Sequence, residues 1–114
     1  MRELPRDPGR LEHMLIAIDN VQKFLEGKTL NDLLNDKILF YAVVKNIEIV
    51  GEAANNLTKE LMEQHPEVNW KDVIGMRHVL VHDYYNINAR TAWQTAQDNL
   101  PPLKKQIEKI LSSL

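Results

Sequence analysis

The chain has 114 residues, is 44% hydrophobic, contains no cysteine, and carries 14 basic against 16 acidic residues for a formal net charge of −2. That length fits a single domain over residues 1–114 with a core of its own, and the missing cysteines exclude disulfides, thiolate metal sites and cysteine nucleophiles. Proteins that coat nucleic acid usually carry a basic surplus, so any RNA handled here must be held by a local basic patch, a groove between two copies or a partner.

The N-terminal MRELPRDPGR places charges and two prolines where a signal peptide needs an apolar run. No stretch approaches the ~18 consecutive apolar residues of a membrane span. The expectation is a cytoplasmic protein with no membrane association. Asp7-Pro8 reads as an N-cap followed by proline at the first helical position, where no amide is needed. Leu11, Met14, Leu15, Ile18, Gln22 and Leu25 then keep helical spacing until Gly27 stops the helix. Thr29 and Asp32, three apart, suggest a capped short turn.

A long second helix is predicted from Asp36 to Leu61, with Leu39, Val43, Ile47, Val50, Ala54, Leu57 and Leu61 on one stripe. A second stripe, Ile38, Ala42, Ile49 and Ala53, lies beside it, as on a helix that packs on its own bundle and on another subunit. Gly51 in mid-helix costs roughly 0.5–1 kcal/mol relative to alanine, a loss best offset by close approach of another helix. Asn46 interrupts the apolar stripe, and a buried amide needs partners. It therefore either joins a polar network near a site or specifies helix register.

His65-Pro66 breaks the pattern, Asn69 caps a short turn with Trp70, Val73 and Ile74, and Gly75 interrupts again. Arg77–Val81 is short and apolar on one side. Asn86 and Asn88 read as a turn and the next N-cap. From Trp93 through Ala96, Leu100, Leu103, Ile107, Ile110 and Leu114 the spacing holds straight past Pro101-Pro102, which predicts one bent helix. Strand alternation is absent. The expected fold is all-α, an up-and-down bundle of four to five helices with a bent C-terminal helix.

One arginine, two histidines, an acid and two tyrosines fall between Met76 and Tyr85. On a continuous helix Arg77 and His82 would diverge by roughly 140°, so their convergence on one phosphate requires the helix to end between them. An arginine fork holds a phosphate and stabilises charge developing on it. A histidine passes protons near neutral pH. The bland alternative is a solvated helix end that holds these residues by chance. His78 and His82, four apart and close to Asp83, have a spacing compatible with a metal. No glutamate follows His78 and no further histidine cluster exists, so no metal site and no cofactor are expected. Glu52 reads as a solvated face or as an accessory to the Arg77–His82 site, and Tyr85 as a core aromatic or a rival to Tyr84. Trp70 and Trp93 read as core anchors, and His13 and His65 as solvent-facing.

Arg77, His82 and Tyr84, read as R-x-x-x-x-H-x-Y, resemble the signature of the HepT-type HEPN ribonuclease toxins of bacteria and archaea. The surroundings resemble that family as well: RLEHMLIAIDNVQKFLEG, IEIVGEAANNL, NWKDVIGMRHVLVHDYY and TAWQTAQDNLPPLKKQI occur in order over nearly the whole chain. The resemblance implies a HEPN-like bundle acting as a homodimer, with motif residues of both copies lining a composite RNase site. It implies Arg77 and His82 as catalytic residues; an arginine–histidine pair without a carboxylate cluster predicts RNA cleavage without a metal, and Asn46, Glu52 and Asp83 read as candidate accessories. It also implies a minimal nucleotidyltransferase antitoxin that silences the enzyme by adding AMP to Tyr84. The alternative is a non-catalytic HEPN subunit that presents substrate to such a nucleotidyltransferase, although a pure adaptor need not keep both Arg77 and His82. A purely structural helical dimer would leave that cluster unexplained.

Overall fold

A computed structural model of the chain describes residues 6–80 and 85–114, the side chain of Asn86 excepted. The described residues are helical, with no strand: α1 (Asp7–Leu25), α2 (Leu30–Asn35), α3 (Lys37–Asn55), α4 (Lys59–Gln64), α5 (Trp70–Gly75), α6 (Tyr85–Gln94) and α7 (Leu100–Ser112). No helix of this described part is long and apolar enough to cross a membrane.

α1 and α3 form the centre. Leu11, Met14, Ile18 and Val21 of α1 meet Val43, Ile47 and Val50 of α3 in one core from which water is fully excluded. Two polar contacts fix the direction and register of the pair. The amide of Thr58, just beyond α3, donates to Asp7 Oδ1 at 2.9 Å, and Asn20 Nδ2 donates to Asn46 Oδ1 at 3.1 Å. The start of α1 meets the chain just past the end of α3, Asn20 late in α1 meets the middle of α3, and the paired numbers sum almost identically, as an antiparallel pair without slippage requires. α7 runs antiparallel along the other side of α1, where Lys104 reaches Asp19 at 2.9 Å.

The local signals explain most element ends. Gly27 stops α1 with a φ of +73°, a left-handed conformation that only glycine adopts freely. Thr29 and Asp32 exchange both bonds of a capping box at the start of α2, and Asp36 caps α3 by accepting from the Leu39 amide at 3.1 Å. Asp7 is not the N-cap of α1: Arg6 takes that place, and the Asp7 carboxylate instead accepts from the Thr58 amide and hydroxyl.

The helix expected over Asp36–Leu61 is two helices. α3 ends at Asn55, and Thr58 opens α4 by accepting from the Leu61 amide. Asn55 and Asn56 compete for backbone groups and are weak helix formers, and the Asp7 clamp holds Thr58 in an extended, capping conformation. Leu57 and Leu61 still enter the core, so the apolar stripe outlives the helix that first suggested it.

Asn86 and Asn88 stand inside α6, which begins at Tyr85, rather than forming a turn and cap ahead of it. Asn88 is buried there. Past α6 the helix does run unbroken into α7, through one wide π turn over Thr95–Asn99 in which the Leu100 amide bonds the Thr95 carbonyl. Pro101 and Pro102 have no N–H, and their rings crowd the carbonyls of the preceding turn. A wider turn placed there makes room, which is why Ala96, Leu100, Leu103, Ile107 and Ile110 remain buried on one face.

Candidate functional site

The Arg77 end of the molecule is assembled from short pieces. Asn69 opens α5 by accepting from the Asp72 amide at 3.2 Å, while its own amide nitrogen donates back to the Asp72 carboxylate at 2.8 Å. The Trp70 indole donates to the His65 carbonyl at 2.9 Å and anchors the helix in the core. α5 then tightens into a 3₁₀ turn, Met76–His78, and helical backbone ends there. The helix therefore stops between Arg77 and His82, as convergence of the two on one phosphate demands.

Gly51 sets where that turn sits. A methyl group added to it would lie 2.4 Å from the Arg77 amide nitrogen and 2.9 Å from both Arg77 Cγ and the Met76 carbonyl carbon. No real Cβ tolerates such approaches, so α3 carries glycine because the backbone of Arg77 lies directly on it. The close neighbour that a mid-helix glycine implies is the arginine turn of the same chain, not a helix of a second copy. The close approach expected at Gly51 is thus made within one chain, by a 3₁₀ turn and not by another helix. Arg77 is half-buried, and its Nε donates to the Ile74 carbonyl at 3.2 Å. With Nε committed, the orientation of the fork is held, and its terminal nitrogens are the donors suited to a phosphate.

His82, Asp83 and Tyr84 lie outside the described residues. Tyr85, which follows them, is pinned: its hydroxyl donates to the Leu33 carbonyl at 2.8 Å, and its ring packs on Phe40 at 4.7 Å. Burial, with the Asp36 carboxylate and Tyr41 nearby, raises its pKa above the ordinary 10.0. Tyr85 is a core aromatic with a committed hydroxyl.

Asn46 lies in the α1–α3 seam. It pairs with Asn20 across the α1–α3 seam and donates to the Ala42 carbonyl at 2.9 Å. Five residues separate it from Gly51, about 140° around the helix, so it faces α1 and not the arginine turn. Glu52 is exposed and borders a groove of about 370 Å³ with Arg10, His13, Ile49, Ala53 and Asn56 on the outer side of the α1–α3 pair. His13 is exposed, whereas His65 is half-buried with Nδ1 3.3 Å from Glu67. Trp93 is half-buried against the core. His78 is exposed at the rim of a second cleft, of about 360 Å³. Sequence reasoning did not find that cleft. Its signal was the spacing of Thr91, Thr95 and Asn99, one polar residue every four positions, just before a Pro-Pro pair.

Of the second stripe of α3 only Ile38 is uncovered, while Ala42, Ile49 and Ala53 are half-buried. Ile38 is 85% exposed and Tyr41 57%, and Ile16 of α1 is 58% exposed. Because Asn20 faces Asn46 in an antiparallel pair, Ile16, one turn before Asn20, lies level with Ile49 and Val50. Ile16 falls three residues after His13 and Ile38 three turns before Ile49, so both lie on the side of the pair where His13 and Ile49 line a groove.

Residues 14–110 match the family model described as ribonuclease HepT-like. The chain is 40% identical over 101 residues to a candidate RNase of Caldanaerobacter subterraneus subsp. tengcongensis, covering 89% of this chain and 90% of that protein. It is 34% identical over 100 residues to the probable ribonuclease HepT of Thermococcus cleftensis, covering 88% and 91%. A candidate RNase of Methanocaldococcus jannaschii is 33% identical over 104 residues, covering 91% and 90%. No solved structure gives a significant match.

Proposed function

Because the chain belongs to the HepT-like ribonuclease family, we propose that it is the toxin of a toxin–antitoxin pair, a metal-independent endoribonuclease with Arg77 and His82 as its catalytic residues. The observation that carries this reading is the seating of Arg77. A glycine stands in the middle of the central helix, against its propensity, and the arginine backbone lies directly on it with Nε bonded to the Ile74 carbonyl. Such preorganisation of a cation serves a charge that develops during reaction.

In the proposed reaction the 2′-hydroxyl oxygen attacks the adjacent phosphorus while a base takes its proton. The phosphorus–5′-oxygen bond breaks, and the leaving oxygen is protonated by an acid. His82 serves as base or acid, and Arg77 binds the non-bridging oxygens. The products are a 2′,3′-cyclic phosphate and a 5′-hydroxyl, and the step needs no Lewis acid. The site is completed by a second copy, docked through the side that carries the exposed Ile16 and Ile38. Monomers seldom leave an apolar patch of this kind open.

Regulation falls to a minimal nucleotidyltransferase that transfers AMP from ATP to the Tyr84 hydroxyl, the phenol oxygen bonding the α-phosphorus as pyrophosphate leaves. The commitment of the Tyr85 hydroxyl to Leu33 favours Tyr84 as the acceptor of the two neighbours. The added phosphate would occupy the Arg77 fork as a charge-assisted pair and exclude the substrate.

The test is cleavage of RNA by the purified protein in chelator. Activity is expected to persist there and to fall by about 10²-fold or more in His82→Ala, the usual scale for loss of an acid–base group. Activity that needs added magnesium would overturn the mechanism, and full activity in both Arg77→Ala and His82→Ala would overturn the site. Growth arrest on expression, abolished by His82→Ala, would distinguish a toxin from a non-catalytic adaptor.

A further inference from the structure

The cleft beside the arginine turn has no part in the chemistry above. Its floor is apolar, from Ile47 of α3 and Val79, and its rim is polar, from Lys71, the neighbouring carboxylate of Asp72, His78, Thr95 and Asn99. An apolar floor with a few convergent polar groups is the usual make-up of a small-ligand site, and about 360 Å³ is within the range of such sites. Two features tie it to Arg77. His78 follows Arg77 directly, so their Cα atoms stand about 3.8 Å apart. Ile47 and Gly51 stand one turn apart on α3, about 6 Å along the axis. The helix ridge that backs the arginine also floors the cleft.

The far wall comes from the π turn. Thr95 and Asn99 are its first and last residues, and the Thr95 hydroxyl is turned back to the Thr91 carbonyl at 2.9 Å. Wide turns of this kind are rare and recur at functional sites. Here the turn accommodates Pro101-Pro102 and at the same time sets Thr91, Thr95 and Asn99 along the cleft.

We propose that this cleft is a base-binding subsite, which seats the nucleobase next to the phosphate held by Arg77 and so sets the sequence preference of cleavage. The chemistry of the wall suits a splayed, single-stranded base. His78 offers a ring to stack on, Asn99 both a donor and an acceptor for a base edge, and Lys71 a cation for the flanking phosphate. Ile47 and Val79 supply the dry floor. The proposal rests on the ribonuclease reading of Arg77 and adds to it the source of specificity.

Two measurements test it, one independent of catalysis. In the first, amide shifts of the wild-type protein are followed by NMR during titration with short 2′-O-methyl RNA oligonucleotides of each base, which bind without being cleaved. Shifts at Thr91, Thr95 and Asn99 that differ between bases, and that inorganic phosphate does not reproduce, are expected. Shifts that phosphate alone reproduces, or none at these residues, overturn the subsite. In the second, Thr95→Phe fills the cleft from an intermediately exposed position. KM is expected to rise about tenfold and base preference to flatten, with kcat changed far less. Unchanged KM and base preference in a folded Thr95→Phe protein also overturn it. A wild-type protein that cleaves no RNA would remove the ribonuclease reading while leaving the oligonucleotide titration to judge the cleft.

Discussion

The α1–α3 pair and the Arg77 turn are held in opposite ways. The pair is two helices of 19 residues each, joined by a continuous apolar face with an Asn20–Asn46 hydrogen bond within it. Its stability is spread over many side chains, each contributing a share of buried area. The turn is one 3₁₀ step after a six-residue helix. It is held by a few point contacts: the Asn69 cap, the Trp70 anchor and the fit of Arg77 on Gly51. Helices this short are not stable by themselves, so the turn takes its geometry from α3. The stable half of the molecule is therefore a template, and the half that carries the arginine is laid onto it at a single glycine.

That difference can be broken from either side. The largest loss of stability is expected on the α1–α3 side: Ile18→Ala, at a fully buried position, should cost about 2–5 kcal/mol by lost burial and cavity formation. Denaturant unfolding measures it. Below its lowered melting temperature the surviving folded protein should keep most of its ribonuclease activity, because the arginine turn is not touched. Gly51→Ala should do the reverse. Forcing a methyl group into a gap of 2.4 Å is overpacking, worth about 1–3 kcal/mol, but the strain falls on the Arg77 backbone. Ribonuclease activity per folded molecule should drop by at least about tenfold while far-ultraviolet dichroism stays helical. If Ile18→Ala loses as much specific activity as Gly51→Ala, the two regions are not separable in this way.

The same contrast explains what could be read from the sequence. Long periodic stripes are averages over many residues, so α1, α3 and α7 were legible, as were the capping box at Thr29–Asp32 and the stop at Gly27. The continuity past Pro101-Pro102 was legible because burial phase survived, although the π turn that permits it leaves no periodic trace. Contacts made by single atoms were not legible. Gly51 announced a close approach but not its partner, since a glycine records only that something lies near. Asp7 matched a local cap motif, yet its carboxylate serves a threonine 51 residues away, a choice made by tertiary packing. The end of α3 at Asn55 was masked by apolar residues that stay buried after the helix stops. At the site, the position of Arg77 on a terminating turn was legible from motif and turn chemistry together. The cleft behind it needed α3, α5 and α6 to be brought side by side.

The smallest expected effect is at Tyr85, where the template also grips the far side of the arginine segment. Tyr85→Phe keeps the ring on Phe40 and removes only the hydroxyl that donates to Leu33. Loss of one such bond should cost about 0.5–1.5 kcal/mol. The pH dependence identifies the source. Burial first, then the Asp36 carboxylate and Tyr41, raise the Tyr85 pKa above 10.0 in the fold. The neutral phenol is thus favoured in the folded state more than in the unfolded one. Its contribution is fully present below the unfolded value and is lost as pH rises through the folded value. Lys104, whose pKa is raised by its hydrogen bond to Asp19, loses its charge on the same alkaline side. Wild type and variant must therefore be compared at each pH. The stability gap between them should be constant from about pH 7 to pH 9 and shrink above about pH 10. A gap that persists unchanged at higher pH would mean that the ring position, and not the hydroxyl bond, had been altered, and the grip on this side of the segment would have to be sought in Phe40 alone.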